Sequence, residues 1–223
     1  GLELAQTLRE DLALKRKESV SIGIAAFPTL DYAKTQILES AQKALDHAEF
    51  FGPDSRVAFD SVSLNISGDK YYQAGDIDGA IQEFELALKL DPKNLNVLNS
   101  IGVCYGVREE LDKALASFQE AIRLDPEEIM PIYNAGYVHM LKGAYATALE
   151  YFERAGRIDE NVFELAFQAG RVYLEMKQPD KARKQFESAV KSNDKSGAAF
   201  RYLGDCYAAE DRIADAISAY KTC

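Results

Sequence analysis

From Ser61 to the last residue, small and aromatic side chains recur at spacings of three, four and seven, as in Ala80, Phe84 and Ala87. That spacing places them on one face of a helix and predicts an amphipathic helix for each such block. Polar or glycine-bearing turns separate successive blocks, as at Ala74-Gly75-Asp76 and Lys142-Gly143-Ala144, where helix stop signals belong. Small residues let helices approach one another, and aromatic residues fill the space between them.

The pattern of blocks itself repeats, with a period of 34 residues. Gly68, Gly102, Gly136, Gly170 and Gly204 share one place in it, and Tyr71, Tyr105, His139, Tyr173 and Tyr207 another. Ala80, Ala114, Ala148, Ala182 and Ala216 follow, then Phe84, Phe118, Phe152, Phe186 and Tyr220, then Ala87, Ala121, Ala155, Ala189 and Cys223. Two units close on Leu90-Asp91-Pro92 and Leu124-Asp125-Pro126, where proline cannot continue the preceding helix. Units are expected at 61–94, 95–128, 129–162, 163–196 and, incomplete, 197–223. Glu160 and Asp194 stand where the first two units have proline, and Pro179 falls in the turn of the fourth.

These residues resemble the tetratricopeptide repeat (TPR), a helix-turn-helix unit of that period. The resemblance implies a mainly α fold, an α-α superhelix of about five repeats, in which stacking of neighbours makes the core. It also implies protein binding rather than catalysis. Terminal units of such arrays carry a polar cap, and no cap precedes Cys223. The array is therefore expected to be cut there, or to have its last face covered by another molecule.

The first sixty residues lie outside the repeat. Leu2 to Lys15 predicts a helix with Leu4, Ala5, Leu8 and Leu12 on one side, and Val20 to Phe27, stopped by Pro28, a buried strand. Thr35 to Phe51 predicts a second helix with Ile37, Leu38, Ala41, Ala44, Leu45 and Ala48 inward, and Arg56 to Phe59 a final strand. Helix, strand, helix, strand is the order of a small α/β element. Val20-Ser21-Ile22-Gly23-Ile24-Ala25, the stretch Ala41 to Gly52, and Arg56-Val57 resemble the C-terminal third of a GGDEF domain, the diguanylate cyclase family that condenses two GTP into cyclic di-GMP.

That resemblance covers residues 1–60 and argues against cyclase chemistry. The name-giving loop and the strands with the metal carboxylates would lie upstream. Ala41, Ala44, Leu45, Ala48 and Gly52 match packing positions, whereas Glu49 and Pro53 stand where the family holds GTP phosphates with Lys and Arg. A carboxylate repels a triphosphate, and proline has no side-chain donor. Gln42 and Asp46 depart from the family pattern as well. The expectation is a degenerate GGDEF-like fragment that makes no cyclic di-GMP and binds no GTP; the alternative is an active subfamily that binds phosphate through residues outside this stretch. Phe59-Asp60-Ser61 leaves no flexible linker between it and the repeats, so the two are expected to move as one body.

Composition is that of a folded chain: 47% of the 223 residues are apolar and 28% charged. No apolar run has membrane-spanning length and no signal peptide is seen, so a cytoplasmic location is expected. A net charge of -10 without a Lys/Arg cluster argues against nucleic acid as a partner. Cys104 and Cys206 share one place in units two and five; at about 10 Å per layer they lie roughly 30 Å apart. A disulfide needs about 7 Å between Cα atoms. Cys223, at an alanine place, reads as a small buried hydrophobe. His47 and His139 lie far apart in the chain, no zinc spacing occurs, and His139 reads as a filler at a tyrosine place. No catalytic residue, cofactor or metal site is expected, since no nucleotide, hydrolase or metalloprotease motif is present.

By the resemblance, the concave groove is built from the first helix of each unit. The contact positions there include Asn65, Asn99, Tyr133, Asn134, Tyr137, Phe167, Arg171, Arg201 and Tyr202, with Asp69, Tyr72, Gln73, Asn96, Ser100, Val103, Met130, Met140, Gln168, Glu175 and Asp205 also on this face. Amides can bond a peptide backbone, and aromatic rings can anchor side chains. A strip of Asn99, Tyr133, Asn134, Tyr137 and Phe167 is the expected centre, and loss of Tyr133 and Phe167 is expected to abolish binding without loss of helix. A carboxylate clamp is not expected, because its basic and amide places hold Asn65, Asp69, Met130 and Asn134. The sequence thus reads as an interaction scaffold or sensory module of a bacterial signalling protein, with a peptide or partner helix as ligand. The alternative is the regulatory tail of a diguanylate cyclase whose active half lies upstream. Self-association is expected at the open N-terminal sheet or the uncapped last repeat.

Overall fold

The computed structural model describes residues 1–16 and 19–223, which divide into two compact units, Gly1–Lys113 and Ala114–Cys223. The division falls within a repeat rather than at residues 60/61, because the N-terminal element packs directly on the first repeat.

That element runs α1 (Leu2–Arg16), β1 (Ile22–Ile24), α2 (Ile37–Ala48) and β2 (Arg56–Ala58), with short 3-10 turns at Lys34–Gln36 and Glu49–Phe51 flanking α2. β1 and β2 pair in parallel, Gly23 opposite Val57. The order of elements agrees with the sequence pattern, but several side chains do not lie as it suggests. The strand is three residues long and half-buried rather than a buried run from Val20 to Phe27. Two strands cannot enclose the apolar residues of that run. At Gly23 the helix backbone lies directly on the strand: a Cβ there would sit 2.1 Å from the Ala41 carbonyl oxygen. This contact turns Ala44 and Ala48 inward together with Ser40 and His47, and leaves Leu38 81% exposed. In α1 the small Ala5 takes the buried position, and Leu4 and Leu8 are exposed.

The repeats follow as helix pairs. Their first helices are α3 (Ser61–Gln73), α5 (Leu95–Val107), α7 (Ile129–Leu141), α9 (Phe163–Glu175) and α11 (Gly197–Ala209). Their second helices are α4 (Ile77–Leu90), α6 (Leu111–Leu124), α8 (Tyr145–Ile158), α10 (Pro179–Ser192) and α12 (Ile213–Thr222). Pro179 is the first residue of α10, where its missing N–H has no partner to lose.

Three devices recur with the period. Within a pair, glycine on the first helix meets a ring on the second: a Cβ on Gly68, Gly136, Gly170 or Gly204 would lie 2.4, 2.8, 2.7 or 2.5 Å from Phe84, Phe152, Phe186 or Tyr220. Between the helices of each pair one residue has positive φ, namely Gly75, Glu109, Gly143, Lys177 and Asp211. The residue after it donates its N–H to the carbonyl of Tyr71, Tyr105, His139, Tyr173 or Tyr207 at 2.9 Å, the long bond of a Schellman turn. Between pairs, Asp91, Asp125, Asp159 and Asn193 each accept the N–H two residues on, at 2.9 to 3.1 Å. This Asx turn, rather than the proline, shapes the link. It explains how Glu160 and Asp194 can stand where Pro92 and Pro126 do.

In the first unit the core holds Leu64, Ile81, Phe84, Val97, Ile101 and Cys104, with Leu30 and Phe59 of the N-terminal element packed against it. In the second, Phe186, Leu203 and Cys206 form a cluster bordered by Phe167 and Tyr202. Each such fully buried side chain contributes about 1.5–3 kcal/mol.

Candidate functional site

The first-helix faces are described unit by unit. In the first unit, Asp69, Tyr72, Asn99, Ser100 and Val103 surround a cavity of about 120 Å³ with the Phe84 ring among its walls. One turn before Asp69, Asn65 donates its amide to the Asp69 carboxylate at 3.4 Å, while its own Oδ1 is buried without a partner. Burial raises the Asp69 pKa above 3.8, and among the described residues no cation is within ion-pair distance of it. The neighbouring Lys70 reaches the other way, to Asp46 on α2 at 2.6 Å. α5 carries no Asp, Glu, Lys, Arg or His at all.

In the second unit, the rings expected to form the groove are joined to one another. Tyr133 stacks beside Tyr137 at 6.4 Å between centroids and lies 6.0 Å from Phe152. Gln168 donates to the Tyr133 hydroxyl at 3.4 Å and accepts from Arg171 at 2.9 Å. Burial raises the Tyr133 pKa. Phe167 stacks on Phe163 at 5.4 Å and meets Phe186 and Tyr202 edge-on. Tyr202 in turn stacks on Phe186 at 5.2 Å, and the exposed Arg201 guanidinium lies 4.7 Å above the Tyr202 ring. Tyr133, Tyr137, Phe167 and Tyr202 are all half-buried, so each ring shares its surface between helix packing and the open face. Asn134, on α7 with Tyr133 and Tyr137, is half-buried too.

Other residues singled out in the sequence lie elsewhere. Glu49 and Pro53 are exposed at the end of α2, beside the exposed Phe50 and Phe51. Cys104 and Cys206 are free and buried, and burial pushes both thiols up to about 11. Cys223 is exposed, contrary to its alanine-like place: it follows the last residue of α12, where its N–H donates to the Tyr220 carbonyl at 3.4 Å and its thiol to the Gly197 carbonyl at 3.1 Å. His139 stacks on Tyr151 at 5.3 Å, and burial followed by the Lys142 charge lowers its pKa. Among the described residues no group of His, Cys, Asp and Glu could hold a metal, and no helix is long and apolar enough to cross a membrane.

Sequence reasoning gave no special standing to the seam between α2 and the first repeat. There Lys43 bonds Glu83 at 2.8 Å and Glu39 at 2.9 Å, with Lys43 and Glu83 both largely buried. Desolvation opposes the Lys43 charge, but the hydrogen bonds it donates to Glu83 and Glu39 outweigh that and raise its pKa. His47 contacts Ser63 at 3.2 Å and Asp60 at 3.4 Å, where Asp60 caps α3. The signal in the sequence was faint: ionisable residues on a helix otherwise read for its apolar positions.

Tetratricopeptide-repeat family models match residues 68–106, 96–128, 132–162 and 167–222. The solved structure of MamA is 25% identical, with a TM-score of 0.63 over 70% of this chain and 91% of that one. That of pilF from Pseudomonas aeruginosa is 20% identical, with a TM-score of 0.69 over 73% of this chain and 74% of that one. A third, YrrB, described as a TPR protein with an unusual peptide-binding site, is 22% identical, with a TM-score of 0.58 over 86% of this chain and 91% of that one. No curated protein matches the chain.

Proposed function

The repeat region of this chain is made of tetratricopeptide repeats, and on that premise we propose that the molecule is a protein-interaction scaffold whose first-helix faces bind an extended peptide or a partner helix. The carrying observation is the half-buried set of Tyr133, Tyr137, Phe167 and Tyr202, edged by Gln168, Arg171 and Arg201. Rings already held by stacking lose little freedom when a ligand side chain packs on them, and amide and guanidinium groups beside them can meet a peptide backbone. The peptide-binding site of YrrB supports the same reading by analogy of fold. The setting within it is a bacterial signalling protein, with residues 1–60 as the C-terminal part of a degenerate GGDEF-like domain. Exposed Glu49 and Pro53 offer a triphosphate no cation.

Phe167 touches three rings, so its truncation would also loosen the core by about 3 kcal/mol. The discriminating pair is therefore Tyr137 and Arg201. A random dodecapeptide library displayed on phage is selected against the whole chain, and selected peptides are measured by fluorescence anisotropy. Tyr137→Ala with Arg201→Ala is expected to weaken them about tenfold or more while the thermal melt holds. Failure to enrich any peptide, or equal affinity in the double variant, refutes the reading.

A further inference from the structure

The cavity of the first unit holds an acid with no cation within ion-pair distance among the described residues. Asp69 is half-buried on α3, the facing α5 has no charged side chain, and Lys70 is engaged by Asp46. The Asn65 amide reaches Asp69 Oδ2 at 3.4 Å, a long contact. The companion Asn65 oxygen is buried with no donor. A partly desolvated carboxylate is costly to keep charged and is stabilised by a cation brought beside it.

We propose that this cavity is a subsite for an alkylammonium group, the lysine side chain of a bound peptide, with the Asp69 carboxylate as its counter-ion. The proposal rests on the peptide-binding reading above and names the chemistry that reading leaves open. The walls suit both ends of such a side chain. Phe84, Tyr72 and Val103 offer apolar surface for the methylenes, and Asp69 and Ser100 offer oxygen acceptors for the ammonium. An ammonium, a compact charge with three donors on a flexible apolar stem, suits a half-buried carboxylate at the edge of a cavity of this size. Asp69 stands where a carboxylate clamp would need a neutral or basic group, so the same acid that attracts lysine repels a peptide C-terminus.

The test is a titration of the isotope-labelled whole chain with n-butylammonium, followed by amide resonances of residues 69, 99, 100 and 103. n-Butylammonium is expected to shift them saturably, butyrate and 1-butanol to leave them in place, and Asp69→Asn to weaken the ammonium about tenfold. Equal shifts from 1-butanol, or an affinity unchanged in Asp69→Asn, overturn the proposal. Peptides selected on the chain are expected to carry a lysine whose replacement by norleucine costs about tenfold with the wild type and nothing with Asp69→Asn. Selected peptides that bind without such a lysine also overturn it. The fragment titration reads the cavity alone, whereas failure of the library selection would strike the peptide reading.

Discussion

Glycine is used at two unlike kinds of place in this repeat, and opposite substitutions should reveal them. Gly170 lies against the fully buried Phe186, whose ring has no room to swing away. Gly170→Ala is expected to cost about 1–3 kcal/mol from overpacking, although alanine is the better helix former. Lys177 instead holds a φ of 57° at the turn where Gly75 and Gly143 stand in other repeats. Lys177→Gly removes the Cβ penalty and is expected to stabilise by about 1 kcal/mol. Urea denaturation of both variants reads the two signs. Asp69 gives a third residue-scale expectation. Its folded pKa is raised by burial, so its ionisation opposes folding at neutral pH, and this cost fades as pH falls through the raised value toward 3.8. Asp69→Asn should therefore be more stable than wild type at pH 7, with the gap closing near pH 4; a gap that widens on acidification would contradict it.

At the scale of elements, the seam of α2 with α3 and α4 is held by charge as well as by apolar packing. Lys43→Met leaves Glu83 buried without its cation and is expected to destabilise the first unit by about 3 kcal/mol. Lys43→Met with Glu83→Leu removes both charges and is expected to recover most of that loss. If the double variant is as weak as the single, the seam is sensitive to shape and not to charge. The intact seam predicts that amide relaxation in α2 and in α3 reports one common tumbling time. Separate times for the two helices would mean that the contacts of His47, Lys43 and Lys70 do not hold the element against the repeat.

For the whole molecule, the chemistry available points to recognition. Calorimetric titration with GTP and magnesium is expected to give no saturable heat, since the exposed Glu49 and Pro53 present no cation to the phosphates. Micromolar binding would reopen the cyclase reading. The helical architecture was legible in advance because its period was written in residues with one physical job each. Gly170 makes room for Phe186, and Ala182 and Ala189 admit a neighbouring helix. The candidate site was legible only as a face. Tyr133 and Phe167 could be assigned to the first helices from their places, but their division between packing and open surface depends on rings from other helices.

Sequence by itself determined what local spacing and propensity decide: the helix pairs from Ser61 onward, their 34-residue phase, the turns between them, and the helix-strand-helix-strand order before them. Those follow from interactions within a few residues, where periodicity is a sufficient guide. Tertiary structure alone decided which side chain of an apolar stretch is covered. Leu38 and Leu4 are as hydrophobic as any core residue, yet lie in solvent because Ala44 and Ala5 permit the closer contact. It also decided which charges meet, bringing Lys43 to Glu83 across 40 residues and leaving Asp69 with no ion-pair partner among the described residues. Pairing and burial of charge are set by distances between elements, and no local pattern along the chain encodes them.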